Sequence, residues 1–294
     1  MAPSPPSAVT SAQQLKDLID THPLIDNHAH PLLQPAGQAA GHSHALESIV
    51  SEATGDALLQ TSPFSLAHLR AVKQLAGLLG CQPTWADVKR ARSAVPERQR
   101  YQWLCKCFAG IQCVLFDDGL GSHDAATAPL RVQDHDRFTA TTNRRIVRLE
   151  KLAEDTLREL VPAPGPGLSP DHLPESIVGQ WMDRFRETLQ REYADDRVVG
   201  LKTVICYRSG LDISAAEETT EPDWYCIFCL WALADNFRLR DADVNNWIVH
   251  EACRLIAGSA KRKPLQFHTG FGDNDLDLRK ANPAYVLPVG GEHR

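Results

Sequence analysis

Two histidines at the end of a short apolar run, Pro23-Leu24-Ile25-Asp26-Asn27-His28-Ala29-His30, are the residues of this chain best placed to do chemistry. In an extended strand, side chains two apart share a face, so His28 and His30 project together. Two neutral imidazoles side by side can hold a divalent metal. The spacing alone decides little. Twelve histidines in 294 residues give about half such a pair by chance. A second pair, His42 and His44, lies in a Gly/Ala/Ser-rich stretch that reads as loop. What sets the first pair apart is the strand that delivers it.

Further reactive side chains fall at the ends of similar runs. Compact apolar segments at 24–27, 111–116, 145–149, 198–206 and 265–268 read as five strands. They are followed by His28 and His30, by Asp117 and Asp118, by Glu150, by Arg208 and by His268. Helical patterns separate them. Leu66, Leu69, Val72, Leu75, Ala76 and Leu79 recur at three- and four-residue steps before Gly80, and further helices are predicted at 13–20, 97–108, 151–160, 176–193 and 242–257. Thr84 with Asp87 caps another short helix. Strands alternating with helices give an α/β fold around a parallel sheet, whose ligands bind at the carboxyl ends of the strands. Residues 31–63 and 162–174 read as insertions, the second because Pro162-Ala-Pro-Gly-Pro-Gly-Leu-Ser-Pro170 can only be loop.

Composition narrows the function. A net charge of −6 and a pI near 6.0 argue against nucleic-acid or membrane-surface binding. No apolar run approaches the ~20 residues that span a bilayer. Residues 1–10 are Pro/Ser/Ala-rich without a basic or apolar leader pattern, and read as a disordered tail; the expected compartment is the cytoplasm. Of the eight cysteines, only Cys105/Cys107 and Cys226/Cys229 are close pairs, and the second lies in an almost wholly apolar stretch. Buried reduced thiols fit that setting better than a structural zinc site.

Four segments carry a family resemblance: Leu24-Ile-Asp-Asn-His-Ala-His-Pro-Leu-Leu33, Ser51-Glu-Ala-Thr-Gly-Asp-Ala-Leu58, Val198-Val-Gly-Leu-Lys-Thr-Val-Ile-Cys-Tyr-Arg-Ser-Gly-Leu-Asp-Ile213 and Pro264-Leu-Gln-Phe-His-Thr-Gly-Phe-Gly-Asp273. Together they resemble the amidohydrolase-related (amidohydrolase 2) family, and within it the amidohydrolase half of the fungal FluG-type developmental proteins. The resemblance covers residues 11–284. It implies a TIM-barrel-like metal-dependent hydrolase fold with one or two divalent metals, zinc by default, at the barrel mouth, and a small-molecule amide, ester or carboxylate substrate. The positions matching the implied metal ligands are His28, His30 and His268, with Lys202 in the place of a lysine that can bridge two metals.

Other roles stay open for several of these residues. His28 and His30 can be hydrogen-bonded strand-end histidines, and His268 a satisfied buried imidazole. Lys202 faces either the barrel interior or, one residue out of register, the helices. Arg208 can bind a substrate carboxylate or pair with a loop acid such as Asp212. Asp117 and Asp118 read as turn formers.

The chain reaches only its fifth strand at His268, so about five of the eight βα units are expected, with 285–294 matching nothing. The family's final aspartate ligand has no counterpart. A sheet of five parallel strands leaves two open edges, through which self-association is expected. The competing function is a catalytically inactive, truncated or regulatory FluG-like fragment linked to fungal development.

Overall fold

Pro23, Gly110, Asn143 and Pro264 each stand immediately before a strand, where a rigid or turn-forming residue ends the preceding element. The computed structural model describes residues 11–34, 46–119, 128–161, 174, 176–214, 224, 238–270 and 275–286. The expected N-terminal tail, the His42/His44 pair, nearly all of the 162–174 insertion, Cys226/Cys229 and residues 287–294 lie outside them. The strands are β1 (Leu24–Ala29), β2 (Ile111–Asp117), β3 (Arg144–Arg148), β4 (Val198–Thr203) and β5 (Leu265–Phe267). They form one sheet in the order β1-β2-β3-β4-β5, and every pairing is parallel.

Among the described residues, the longer helices are α1 (Ala12–Thr21), α2 (Leu66–Leu79), α3 (Trp85–Ala94), α4 (Glu97–Cys107), α5 (Leu149–Leu160), α6 (Ile177–Ala194) and α7 (Ala242–Gly258). Sequential parallel strands joined by helices or helical turns match the sequence-predicted α/β barrel units, with five strands among the described residues curled into an incomplete barrel. The curl is tight enough for the two outer strands to touch: the Gln266 side-chain amide on β5 donates to the Asn27 carbonyl on β1 at 3.3 Å. Among the described residues, β1 and β5 each pair along one edge only. Leu24 and Ile25 on β1 are correspondingly exposed.

Two strand ends differ from the sequence reading by more than one residue. β1 continues past Asn27 to Ala29, so His28 is itself a strand residue. β4 stops at Thr203 rather than Cys206, because Val204 leaves the extended region (φ −119°, ψ 21°) and its N–H turns to the Glu150 carboxylate at 2.9 Å. A 3-10 turn, Ile205–Tyr207, follows. The 31–63 insertion also contains short helical turns at Leu46–Val50, Ala57–Thr61 and Ser62–Phe64. There Glu47 accepts from the Trp85 indole at 2.8 Å and from Lys89 at 2.9 Å. Those bonds outweigh its partial burial and hold its carboxyl down at about 2.

The main core lies between the outer face of the sheet and α5, α6 and α7. Val147 and Leu201 from the strands meet Leu149, Leu157, Trp181, Phe185, Leu189, Trp247 and Ile248 from the helices. Trp181 is completely buried, with its indole N–H on the Ala153 carbonyl at 3.0 Å and its ring 5.2 Å from that of Trp247. No described helix is long and apolar enough to cross a membrane. Because this cluster fixes the helices against β3 and β4, Trp181→Ala is expected to destabilise the protein by about 3–5 kcal/mol. Urea denaturation followed by far-UV circular dichroism measures it; a loss below about 1 kcal/mol would show that the core does not depend on this ring.

Candidate metal centre

The strand alternation that sends Leu201 into the helical core sends Lys202 into the barrel interior. The same alternation on β1 packs Ala29 against Val114, Phe116 and Val132. His28 and His30, on either side of it, face the mouth of the sheet. There they meet Asp117, the last residue of β2. The ligand atoms of His28, His30 and Asp117 all lie within 4.8 Å of one another. The two imidazoles sit edge to face, their centroids 5.0 Å apart.

The tautomer of His30 follows from its neighbour. Its Nδ1 lies 2.8 Å from the Asp117 backbone carbonyl, which can only accept, so Nδ1 carries the proton and Nε2 keeps its lone pair. At His28, the backbone N–H donates to the Asp26 carboxylate at 3.1 Å. The β1–β2 register is irregular between Asp26 and Ala29, across this same bond.

Asp117 is fully buried and heavily bonded. Arg148, at the end of β3, donates Nε to both carboxylate oxygens at 3.2 Å and Nη2 to Oδ2 at 2.6 Å. The Lys202 ammonium lies 3.3 Å from Oδ2 and 3.3 Å from each ring nitrogen of His28. Burial alone would raise the Asp117 pKa, but Arg148 and Lys202 hold the carboxyl below its usual value. Lys202 is itself pushed down by burial, opposed by Asp117 and assisted by Arg148. His28 is lowered by burial and then by the positive charge of Lys202. Asp117 does shape a turn, as its sequence suggests, accepting from the Gly119 N–H at 3.0 Å. It is also the carboxylate on which the whole cluster converges.

His268, Arg208 and Glu150 do not belong to this three-donor group. His268 follows β5, its backbone N–H on the Thr203 carbonyl at 3.1 Å and its ring 4.8 Å from that of Tyr207. It is not one of the three clustered donors. Arg208 is buried and pairs with Glu154 on α5 at 3.0 Å rather than with Asp212. Glu150 is wholly buried, and its Oε1 accepts from the Thr203 hydroxyl at 2.5 Å and the Val204 N–H at 2.9 Å. Burial raises its pKa above the usual carboxylate value, against those bonds. It serves to end β4. Sequence reasoning gave Asp117 no ligand role and passed over Arg148. The available signal was a charged residue at or next to the end of three successive strands, Asp117, Arg148 and Lys202.

A curled parallel sheet with a histidine pair and a carboxylate at its carboxyl end defines an incomplete α/β barrel with a candidate metal site at its mouth. The fold agrees: the chain superposes on a solved candidate metal-dependent hydrolase from Lactobacillus casei with a TM-score of 0.69 at 22% identity, covering 95% of this chain and 66% of that one. At the level of sequence it is 36% identical over 287 residues to Protein fluG of Emericella nidulans, 95% of this chain and 33% of that protein. Over nearly its whole length the chain is thus similar to fluG, and it spans about a third of the length of that relative. No protein-family profile matches it.

The buried charges make opposite predictions for two substitutions. Asp117→Ala leaves Arg148 and Lys202 facing each other without their carboxylate and is expected to cost about 3–5 kcal/mol. Lys202→Met leaves the Asp117–Arg148 pair intact and is expected to change stability by about 1 kcal/mol or less. The Asp117 contribution is present above the unfolded carboxylate pKa and is lost as pH falls through its lower folded value. Urea midpoints of the two variants at pH 7 and pH 3 test this; equal destabilisation by both at pH 7 would contradict it.

Proposed function

We propose that this chain forms the metal-binding side of a metal-dependent hydrolase that acts on an amide, ester or related bond of a small carboxylate-bearing substrate. The observation that carries the reading is the convergence of His28, His30 and Asp117 within 4.8 Å at the carboxyl ends of β1 and β2. Two imidazoles and a carboxylate are a suitable donor set for a divalent ion, zinc first, with manganese, iron or nickel also accepted. A divalent ion there supplies Lewis acidity, polarising a scissile carbonyl and acidifying water.

The protein's own groups prepare that site. The Asp117 carbonyl takes the Nδ1 proton of His30 and leaves Nε2 as the donor. Arg148 grips the Asp117 carboxylate through both oxygens and fixes its plane. Lys202 already lies against His28 and Asp117 as an internal cation. An incoming ion must displace it, unless Lys202 joins the ligand set. In this reading His268 and Tyr207 line the substrate side of the mouth, and Arg208 stays with Glu154 as a buried support.

The alternative, a non-catalytic regulatory module, draws on one observation: Asp117 is already neutralised by two basic side chains. Titration of the chelator-treated protein with Zn²⁺ and with Mn²⁺, read by calorimetry and elemental analysis, separates the two readings. One or two ions per chain are expected, with affinity falling at least about a hundredfold in His28→Ala, beyond the loss typical of outer-shell partners. Hydrolysis of a panel of small amides and esters should vanish with chelator and return with metal. No metal uptake, or uptake indifferent to His28→Ala, would favour the regulatory module.

A further inference from the structure

A third histidine, absent from every motif above, is built into the frame of this centre. His135 ends the 3-10 turn Val132–His135, which Asp134 caps by accepting from the Arg131 N–H at 3.1 Å. Its side chain is completely buried. Both ring nitrogens are engaged: the Leu32 N–H donates to Nε2 at 3.0 Å, and Nδ1 lies 3.0 Å from the Arg131 carbonyl. Only one tautomer satisfies both bonds. Nε2 must accept from an N–H and Nδ1 must donate to a carbonyl, so the ring is neutral with its proton on Nδ1.

The partners are the point. Leu32 lies two residues after His30, on the chain that carries the histidine pair out of β1. That chain is laced to the segment before the turn by Leu130 N–H to the Leu32 carbonyl at 2.7 Å and by Gln34 N–H to the Ala128 carbonyl at 3.0 Å. On its other side the His135 ring packs 4.5 Å from the ring of Phe116, the residue before Asp117. One imidazole therefore touches the backbone just beyond one clustered donor and the side chain just before another.

We propose that His135 is a positioning residue: a neutral, single-tautomer clamp that fixes the chain leaving His30 against the end of β2, and so sets the His28–His30–Asp117 geometry. Its effect on metal binding rests on the metal reading above; the clamp itself does not. Burial lowers the His135 pKa, against the pull of its bonds at Arg131 and Val132 and of Asp134 nearby, which keeps the ring in the neutral form this geometry demands.

Three variants of the full chain test the clamp. His135→Leu fills the space but removes both polar bonds. His135→Asn keeps a group near the Nδ1 position, within reach of the Arg131 carbonyl, but cannot reach Leu32. His135→Gln places an amide oxygen where Nε2 accepted from Leu32. Exchange of the Leu32 amide with deuterium, followed by NMR, should be at least about tenfold faster in His135→Leu and His135→Asn than in wild type and largely recovered in His135→Gln. Zn²⁺ affinity should follow the same order, falling about 10–100-fold where the Leu32 bond is lost. If His135→Leu does not fold, the Asn and Gln pair gives the same contrast. Unchanged Leu32 protection in His135→Asn would overturn the clamp. Faster exchange with wild-type Zn²⁺ affinity would overturn the positioning role. Wild-type protein that takes up no Zn²⁺ would overturn the metal reading, and the exchange rates would still decide whether the clamp exists.

Discussion

The carboxylate of Asp117 is the constraint around which the rest is arranged. A fully buried carboxylate is tolerable only when its charge is answered and its lone pairs are filled. Here Arg148 from β3, Lys202 from β4 and the Gly119 amide do so together. Because those groups come from separate segments, satisfying one side chain fixes the relative positions of the ends of three neighbouring strands. The His28 ring then rests against Lys202, and His30 against the Asp117 carbonyl. The first strand is thereby tied to the fourth across the inside of the curl.

The helices were legible because their signals are local. The stepped leucines of α2 end at Gly80, which takes the left-handed conformation at φ 66° that a C-cap glycine suits. Thr84 and Asp87 cap α3 reciprocally, as their spacing implies. Strand existence and order were readable too, since apolar runs alternating with helices leave few topologies open. The site was readable in part. His28 and His30 stand out through the apolar strand that delivers them, and the question of which way Lys202 faces was settled by Leu201 entering the helical core.

What sequence could not show was which ends meet. Asp117 reads locally as a turn former, and it is one. Its second role depends on side chains 31 and 85 residues further on. Arg208 shows the converse: it looks like a substrate ligand beside a strand end, yet Glu154 on α5 claims its guanidinium. His135 carries no spacing signal at all, because its partners are a backbone amide 103 residues away and a carbonyl within its own turn.

The contact between Lys202 and His28 joins positions 174 residues apart in the chain. Such closure comes late in folding, since the long intervening loop must be ordered before the contact rewards it. The four strands from β1 to β4 must therefore be in place before the pocket has its shape. Any ligand that binds only the finished arrangement stabilises the entire curled sheet by mass action, rather than one loop of it. Occupancy of this small polar cluster would thus double as a gauge of whether the sheet has assembled.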